Sequence, residues 1–240
     1  MMIIRKKIGR NKFYCSFVVA AAGTSQRMSG QNKLFAQVGG KPILAHTLTA
    51  LQKIEEIDEI IVVTRAEDIA AVAELCEDFA IDKATKVICG GDTRLESALS
   101  GVYEVSPRAS LIGIHDGARP FVPEDVVKKA IEAAKECSAA APAVPVAYTV
   151  KYAEKGLVQK TVDRENLFEI QTPQVFSAEI IKAALKNAVT NNLPVTDDCM
   201  AVEAIGFPVK LTQGSTENIK LTTPVDIVFA EAIFQMRSGL

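Results

Sequence analysis

The chain has 240 residues, 48% of them hydrophobic, with 27 basic and 29 acidic side chains and a formal charge of −2. That length and apolar content suit one large α/β domain with a sizeable core, and the near-neutral balance gives no electrostatic case for nucleic acid as the main partner. Two histidines and five scattered cysteines, without a C-x-x-C pair, leave little material for a zinc centre, a disulfide framework or a Ser-His-Asp triad.

The start of the chain admits two readings. Arg5, Lys6, Lys7, Arg10 and Lys12 precede an apolar run over 13–22 that ends in Ala20-Ala21-Ala22. That is the outline of a secretory signal peptide. The alternative is a buried strand running into a loop that holds a polyphosphate. Cys15, Cys76, Cys89, Cys137 and Cys199 read as small buried hydrophobes in a reducing compartment, so a cytoplasmic protein is expected. No other uninterrupted apolar run nears the roughly 18 residues of a membrane span, and no membrane partner is expected. Residues 1–12 then form a basic N-terminal extension, and 13–240 a single domain.

Beyond that run, short apolar stretches alternate with amphipathic ones. Strands are predicted over 15–21, 59–64, 86–89, 111–115 and 141–147. Helices are predicted over 43–53, 67–79, 94–105 and 124–137, with Pro42 and Pro123 placed where a first helical turn tolerates proline. Such alternation, with strands apolar on both faces, predicts a mostly parallel sheet covered by helices. Residues 148–163 then alternate polar and apolar around Lys155-Gly156, a hairpin signature. This hairpin has too little apolar material for a core element, so it is expected to project and to need a partner subunit over it. Helices over 178–191 and 197–205, a strand over 208–212 and a last helix over 224–236 return the chain to the core.

In open parallel sheets ligands bind outside the carboxyl ends of the strands. After the first predicted strand come Ala21, Ala22, Gly23, Thr24 and Ser25, then Arg27 and Lys33. Small residues let backbone N–H groups approach an anion closely, and the two cations bring fixed positive charge to the same loop. Neither a Walker P-loop nor a G-x-G-x-x-G fits; a flexible basic surface loop is the plainer alternative. After the third strand come Gly90, Gly91, Asp92 and, further on, Ser97, which suit a base or ribose. Asp92 can equally be the N-cap of the next helix. After the fourth come His115, Asp116 and Gly117. An aspartate at a strand's carboxyl end suits Mg²⁺ held largely by phosphate oxygens, although Asp-Gly is also a common turn. Taken together, the three strand ends favour a nucleoside triphosphate with Mg²⁺. Cleavage near Ala22 would strip the first strand from beneath its loop, so the apolar run is expected to be a core strand.

At these residues the sequence resembles a known family. VVAAAGTSQRM…NKLF, GGDTRLESALSGV, IHDGARPFVP, VDRENLFEIQTPQVF, VTDDCMAVEAIG and STENIKLTTPVDI resemble, in order, successive blocks of the 2-C-methyl-D-erythritol 4-phosphate cytidylyltransferases. The resemblance implies a Rossmann-like nucleotidyltransferase fold and a homodimer joined through projecting β-arms. It also implies Mg²⁺-dependent transfer of CMP from CTP to a polyol phosphate in non-mevalonate isoprenoid synthesis. By the same resemblance, Arg27 and Lys33 fall on the basic pair around the triphosphate. Ala21, Ala22, Gly23, Gly91, Asp92 and Ser97 fall on the cytidine side, and Asp116 on the metal-linked aspartate. Arg119, Thr149, Arg164, Thr196 and Lys220 fall on the polyol-phosphate side, Arg164 and Lys220 as the pair that positions the attacking phosphate. Two features depart from the family pattern: Asn32 where many members have proline, and the basic extension.

Three other functions compete with this one. A ribitol 5-phosphate cytidylyltransferase would use the same chemistry; the short arm and the TDD and ENIK blocks favour the methylerythritol substrate. A non-catalytic nucleotide-binding regulator would have no need of Arg27, Lys33, Asp116 and Lys220 together. An NAD-dependent oxidoreductase lacks its glycine fingerprint here.

Overall fold

The computed structural model describes residues 13–23 and 33–239, so the basic extension and Arg27 lie outside the described residues. In chain order the elements begin with β1 (Tyr14–Ala20), β2 (Gln37–Val38), β3 (Lys41–Pro42), α1 (Ile43–Gln52), β4 (Glu59–Thr64), α2 (Ile69–Asp78), β5 (Ala84–Cys89) and α3 (Arg94–Glu104). There follow β6 (Ala109–Asp116), α4 (Glu124–Cys137), β7 (Ala139–Pro145), β8 (Val150–Glu154), β9 (Leu157–Val162), β10 (Phe168–Ile170) and β11 (Gln174–Ser177). The chain closes with α5 (Ala178–Thr190), α6 (Asp198–Ala204), β12 (Lys210–Gln213) and α7 (Pro224–Ser238).

The main sheet runs β5-β4-β1-β6-β11-β7, with β10 and β12 also paired to β7. β1 lies between β4 and β6 and is parallel to both, Val18 facing Ile61 on one side and Ile114 on the other. Cys15, Phe17, Val18 and Val19 are buried. Successive residues of a strand point to opposite faces, and this strand is covered on both. Phe17 and Val19 join one core with Leu44, Leu48 and Val127 of α1 and α4. Val18 joins the other with Val102, Ile181 and Val202 of α3, α5 and α6. An apolar run two-sided in this way is a central strand, as its sequence suggests.

Several elements depart from the sequence expectation. The sequence pattern predicts no strand over 168–170 or 174–177, yet β11 runs antiparallel between β6 and β7, and β10 continues along β7. Their apolar pieces are short and are separated by Gln171-Thr172-Pro173-Gln174, which breaks any period-2 pattern; the Thr172–Pro173 peptide is cis. β7 starts two residues before its predicted position, because Ser138 turns the chain out of α4 with φ 68°. The helix predicted from 67 is a 3-10 turn (Ala66–Asp68) followed by α2. Pro42 and Pro123 occupy N-cap positions, one residue ahead of their helices. Asp92 is not the cap of α3: Thr93 caps it, its hydroxyl accepting from the Glu96 N–H while Glu96 returns the bond.

β8 and β9 form a separate two-stranded sheet. Lys155 and Gly156, both with positive φ, make the tight turn such hairpins favour. Residues 151–161 are exposed throughout.

Helix α3 approaches the sheet through Gly101, where an added Cβ would lie 2.3 Å from Val18 Cγ1 and 2.8 Å from Val63 Cγ2. Alanine would gain about 1 kcal/mol in helix propensity. Overpacking costs about 1–3 kcal/mol, and stiff valines cannot swing aside. Gly101→Ala is therefore expected to lower stability in urea unfolding by about 1 kcal/mol; equal or higher stability would refute this packing account.

Candidate active site

The carboxyl ends of β1, β5 and β6 converge at a cavity of ≈ 390 Å³. Backbone bonds hold the loops in place: Ala21 N–H donates to Val63 O at 2.7 Å, Gly90 N–H to Thr64 O at 2.8 Å, and Gly117 N–H to Ala20 O at 2.9 Å. Ala21, Ala22 and Gly23 line one side, and Gly91, Asp92 and Ser97 another. Lys33, Asp116 and Lys220 line the charged end. Residues from separate stretches of sequence therefore share one cavity.

Asp116 is the electrostatic centre. It is 7% exposed, with Lys220 Nζ at 3.0 Å, Arg119 Nε at 3.2 Å and Arg94 Nε at 4.0 Å. Burial opposes its charge, but Lys220, then Arg119 and Arg94, hold its carboxyl well below the usual carboxylate range. Beside it, burial pushes His115 down to about 4, so the imidazole is neutral near pH 7. Thr172 Oγ1 lies 3.0 Å from its Nδ1 and accepts the Asp116 N–H at 3.1 Å. The threonine hydroxyl thus donates to Nδ1, which leaves Nε2–H to donate to Arg119 O at 3.3 Å.

Lys220 and Arg119 owe their positions to the segment after β12. Leu221 N–H donates to Ala118 O at 2.9 Å, Arg119 Nη1 donates to Asn218 O at 2.6 Å, and Lys33 Nζ donates to Leu221 O at 2.8 Å. Arg119 sits behind the cavity wall, paired to Asp116.

Sequence reasoning misses Arg94. This side chain lines the cavity and makes a two-pronged bond to Asp198, Nη1 to Oδ1 at 3.0 Å and Nη2 to Oδ2 at 2.7 Å. Burial works against its charge, but Asp198 outweighs that and raises the guanidinium further. Asp198's own segment is fixed by Gln174, whose Oε1 accepts from the Asp198 and Cys199 N–H groups at 3.0 Å each. The usable signal is TDD in the sequence: Asp197 caps α6, its side chain accepting from the Met200 N–H, and the second carboxylate, Asp198, is left to pair with a cation.

Thr149, Arg164 and Thr196 do not line the cavity. All three are exposed. Thr149 and Arg164 stand at the root of the hairpin, where Arg164 Nη1 donates to Ala147 O. Thr196 contacts Met200 Sδ at 3.9 Å.

Among the described residues no group of three or more His, Cys, Asp or Glu side chains is placed to cage a metal. Asp116 nevertheless suits Mg²⁺. Its Oδ2 carries the two closer cations, and among the described residues its Oδ1 has only the Arg94 contact at 4.0 Å. One available carboxylate oxygen, with phosphates supplying the rest, is how this ion is often held.

A sequence model of the 2-C-methyl-D-erythritol 4-phosphate cytidylyltransferases matches residues 15–236. The chain belongs to this family. A member from Dehalococcoides mccartyi is 40% identical over 235 residues, 98% of this chain and 99% of the relative. Another, from Halalkalibacterium halodurans, is 42% identical over 219 residues, 91% of this chain and 96% of the relative. The solved structure of 4-diphosphocytidyl-2C-methyl-D-erythritol synthase from Anaerococcus prevotii superimposes with a TM-score of 0.83 at 32% identity, covering 93% of this chain and 97% of that one. The cytidylyltransferase of Thermus thermophilus gives 0.76 at 32% identity, covering 91% and 98%. The α/β nucleotidyltransferase architecture is shared with these family members over nearly the whole chain.

Removing one partner of a buried ion pair costs about 3–5 kcal/mol, because the other charge is left uncompensated. Arg94→Ala should therefore lower stability by about 3 kcal/mol in urea unfolding. Adding Asp198→Asn to it should recover part of that loss. A double variant no more stable than Arg94→Ala would mean that the pair does not carry the energy.

Proposed function

We propose that the protein transfers CMP from CTP to 2-C-methyl-D-erythritol 4-phosphate, giving 4-CDP-2-C-methyl-D-erythritol and pyrophosphate in non-mevalonate isoprenoid synthesis. Membership of the family supports the reaction. The single observation that carries it in this chain is the cation cluster of Arg94, Arg119 and Lys220 at Asp116, in a cavity that Lys33 and the small-residue loop also line.

In the reaction, an oxygen of the polyol's phosphate monoester attacks the α-phosphorus of CTP. A new P–O bond forms, the bond to the β-phosphate oxygen breaks, and its electron pair leaves with pyrophosphate. Two anions must meet, so the protein's task is positioning and charge compensation. Lys33 and Arg27 stabilise charge on the triphosphate; Lys220 and Arg164 hold the incoming phosphate, and Arg119 supports that side through Asp116. Backbone groups of Ala21, Ala22 and Gly23, with Gly91, Asp92 and Ser97, bind the cytidine. No protein nucleophile is required, since the attacking phosphate is already ionised near neutral pH. The buried thiol of Cys15 is pushed up to about 12 by burial and is no candidate for one. Asp116 would hold Mg²⁺, which when bound neutralises charge on the phosphates.

The second part of the reading is a homodimer. The hairpin exposes Tyr148, Tyr152, Leu157 and Val158, and an isolated two-stranded hairpin is marginal in water. Two arms related by a two-fold axis would cover each other and bring Thr149 and Arg164 to the neighbouring cavity. The five cysteines are free, which suits a cytoplasmic location; no helix among the described residues is long and apolar enough to cross a membrane.

Pyrophosphate release measured with CTP or UTP, against methylerythritol and ribitol phosphates, tests the reaction. CTP with methylerythritol phosphate should be strongly preferred, because uracil inverts a donor into an acceptor at a buried edge. Lys33→Ala should cut turnover at least about 100-fold while the fold persists. Equal use of ribitol phosphate, or near-normal turnover in the variant, would refute the respective assignment. For the dimer, inactive Lys33→Ala chains are mixed with inactive Thr149→Ala chains. Shared sites predict recovered activity, since each mixed dimer holds one site free of both changes. Confirmed subunit exchange without recovery would show that each pocket is built from one chain.

A further inference from the structure

Gln171 lies in the short run between β10 and β11 and is 7% exposed. Its backbone N–H donates to Pro142 O at 2.8 Å, so the residue is tied to β7. Its side chain behaves as a peptide group would in a ladder. Nε2 donates to Ser215 O at 2.8 Å, and Oε1 accepts from Ser215 N–H at 3.1 Å. Oε1 also accepts from Asn218 Nδ2 at 3.3 Å, and that same nitrogen donates to Thr172 O at 2.9 Å. A carboxamide offers, at any ordinary pH, a donor and an acceptor at the fixed spacing that serves both backbone groups of one residue; a carboxyl does so only when protonated. The fit is close: a Cβ added to Gly214 would lie 2.6 Å from Gln171 Oε1 and 3.0 Å from the Ala143 carbonyl.

Past Ser215 the chain builds the phosphate side of the site. Asn218 O accepts from Arg119 Nη1, Lys220 Nζ reaches Asp116, and Leu221 N–H closes onto Ala118 O. Between Gly214, which donates to Ala143 O, and Leu221, the segment belongs to no helix or strand. Two ties hold its middle: the amides of Gln171 and Asn218, and the pair of Arg237 with Glu217, Nη2 to Oε2 at 2.7 Å.

We propose that Gln171 is a positioning residue for the attacking phosphate, fixing segment 214–221 and with it Arg119 and Lys220 beside Asp116. The proposal rests on the cytidylyl-transfer function above. Gln171 itself contacts no substrate. Displacements of about 1 Å far from the chemistry can cost on the order of 100-fold in rate, so a loosened segment should be felt strongly. Among the described residues the cytidine side, built on the ends of β1 and β5, has no bond to Gln171, and it should be spared.

The test compares steady-state constants of the full-length wild type, Gln171→Met and Gln171→Glu with CTP and methylerythritol phosphate. Gln171→Met removes both bonds to Ser215. Its KM for the polyol phosphate should rise about 10-fold or more, with a fall in kcat, while its KM for CTP changes less than about three-fold. Gln171→Glu keeps the acceptor but turns a carboxylate oxygen toward Ser215 O. Its defect, expressed relative to wild type at each pH, should shrink as pH falls from about 8 to about 5.5, because a protonated carboxyl donates again. A merely structural role would not give the split between substrates. Folded variants whose polyol-phosphate KM stays within about two-fold of wild type would overturn the proposal, as would equal changes in both KM values. If Gln171→Met does not fold, the pH comparison on Gln171→Glu decides, and a defect constant with pH overturns it. No transfer by the wild type would overturn the proposed reaction, and the positioning role with it; normal wild-type transfer with unaltered variants overturns the positioning role alone.

Discussion

Asp116 is buried at the end of β6, and a carboxylate so far from water is tolerated only beside cations and hydrogen-bond donors. Here three basic side chains supply the compensation from three different stretches of chain: Arg94 from the start of α3, Arg119 from the loop after β6, and Lys220 from the segment after β12. The dependence is mutual. Without Asp116, three cations would repel one another within a few ångströms; with it, they stand grouped before any substrate arrives. A phosphate entering the cavity therefore meets cations already in place, which is the pre-organisation that charge-compensating catalysis needs.

That grouping needs a frame, and the run from Gln171 to Gln174 supplies much of it. Gln171 holds the segment that carries Lys220, Thr172 bonds to His115 and to the Asp116 N–H, and Gln174 holds the start of α6 with Asp198. Neutral His115 fits this picture: it links Thr172 to the Arg119 carbonyl without adding a fourth cation to the cluster. Buried polar networks of this sort are stable only when nearly every member is satisfied.

The legible part of the fold is the part governed by apolar periodicity. β4 and α4 match their predicted bounds because two-sided apolar strands and a clear helical stripe leave no competing pattern. β10 and β11 are illegible for the opposite reason: the polar residues between and within them hold the site, so the run looks like a loop. The same holds within the site. The small-residue loop and Asp116 are readable because strand ends in a parallel sheet are where ligands go. Arg94, Gln171 and Asn218 act through partners distant in sequence, and no local pattern announces a partner. Thr149, Arg164 and Thr196 are named through resemblance alone, and one chain does not bring them to the cavity.

The hairpin gives those outlying residues a physical reading. A segment with exposed residues from 151 to 161 and apolar side chains such as Leu157 and Val158 on its surface has two ways to limit contact with water: fold back, or be covered by another surface. Among the described residues β8 and β9 pair only with each other, through a tight turn, so the hairpin is not folded back onto the main sheet. Covering by a second copy asks for nothing but two-fold symmetry. It would also account for the placement of Thr149 and Arg164 at the root of the arm, where they contribute nothing to their own cavity. The surface that makes the arm unstable alone would then also be what joins a completed site to assembly.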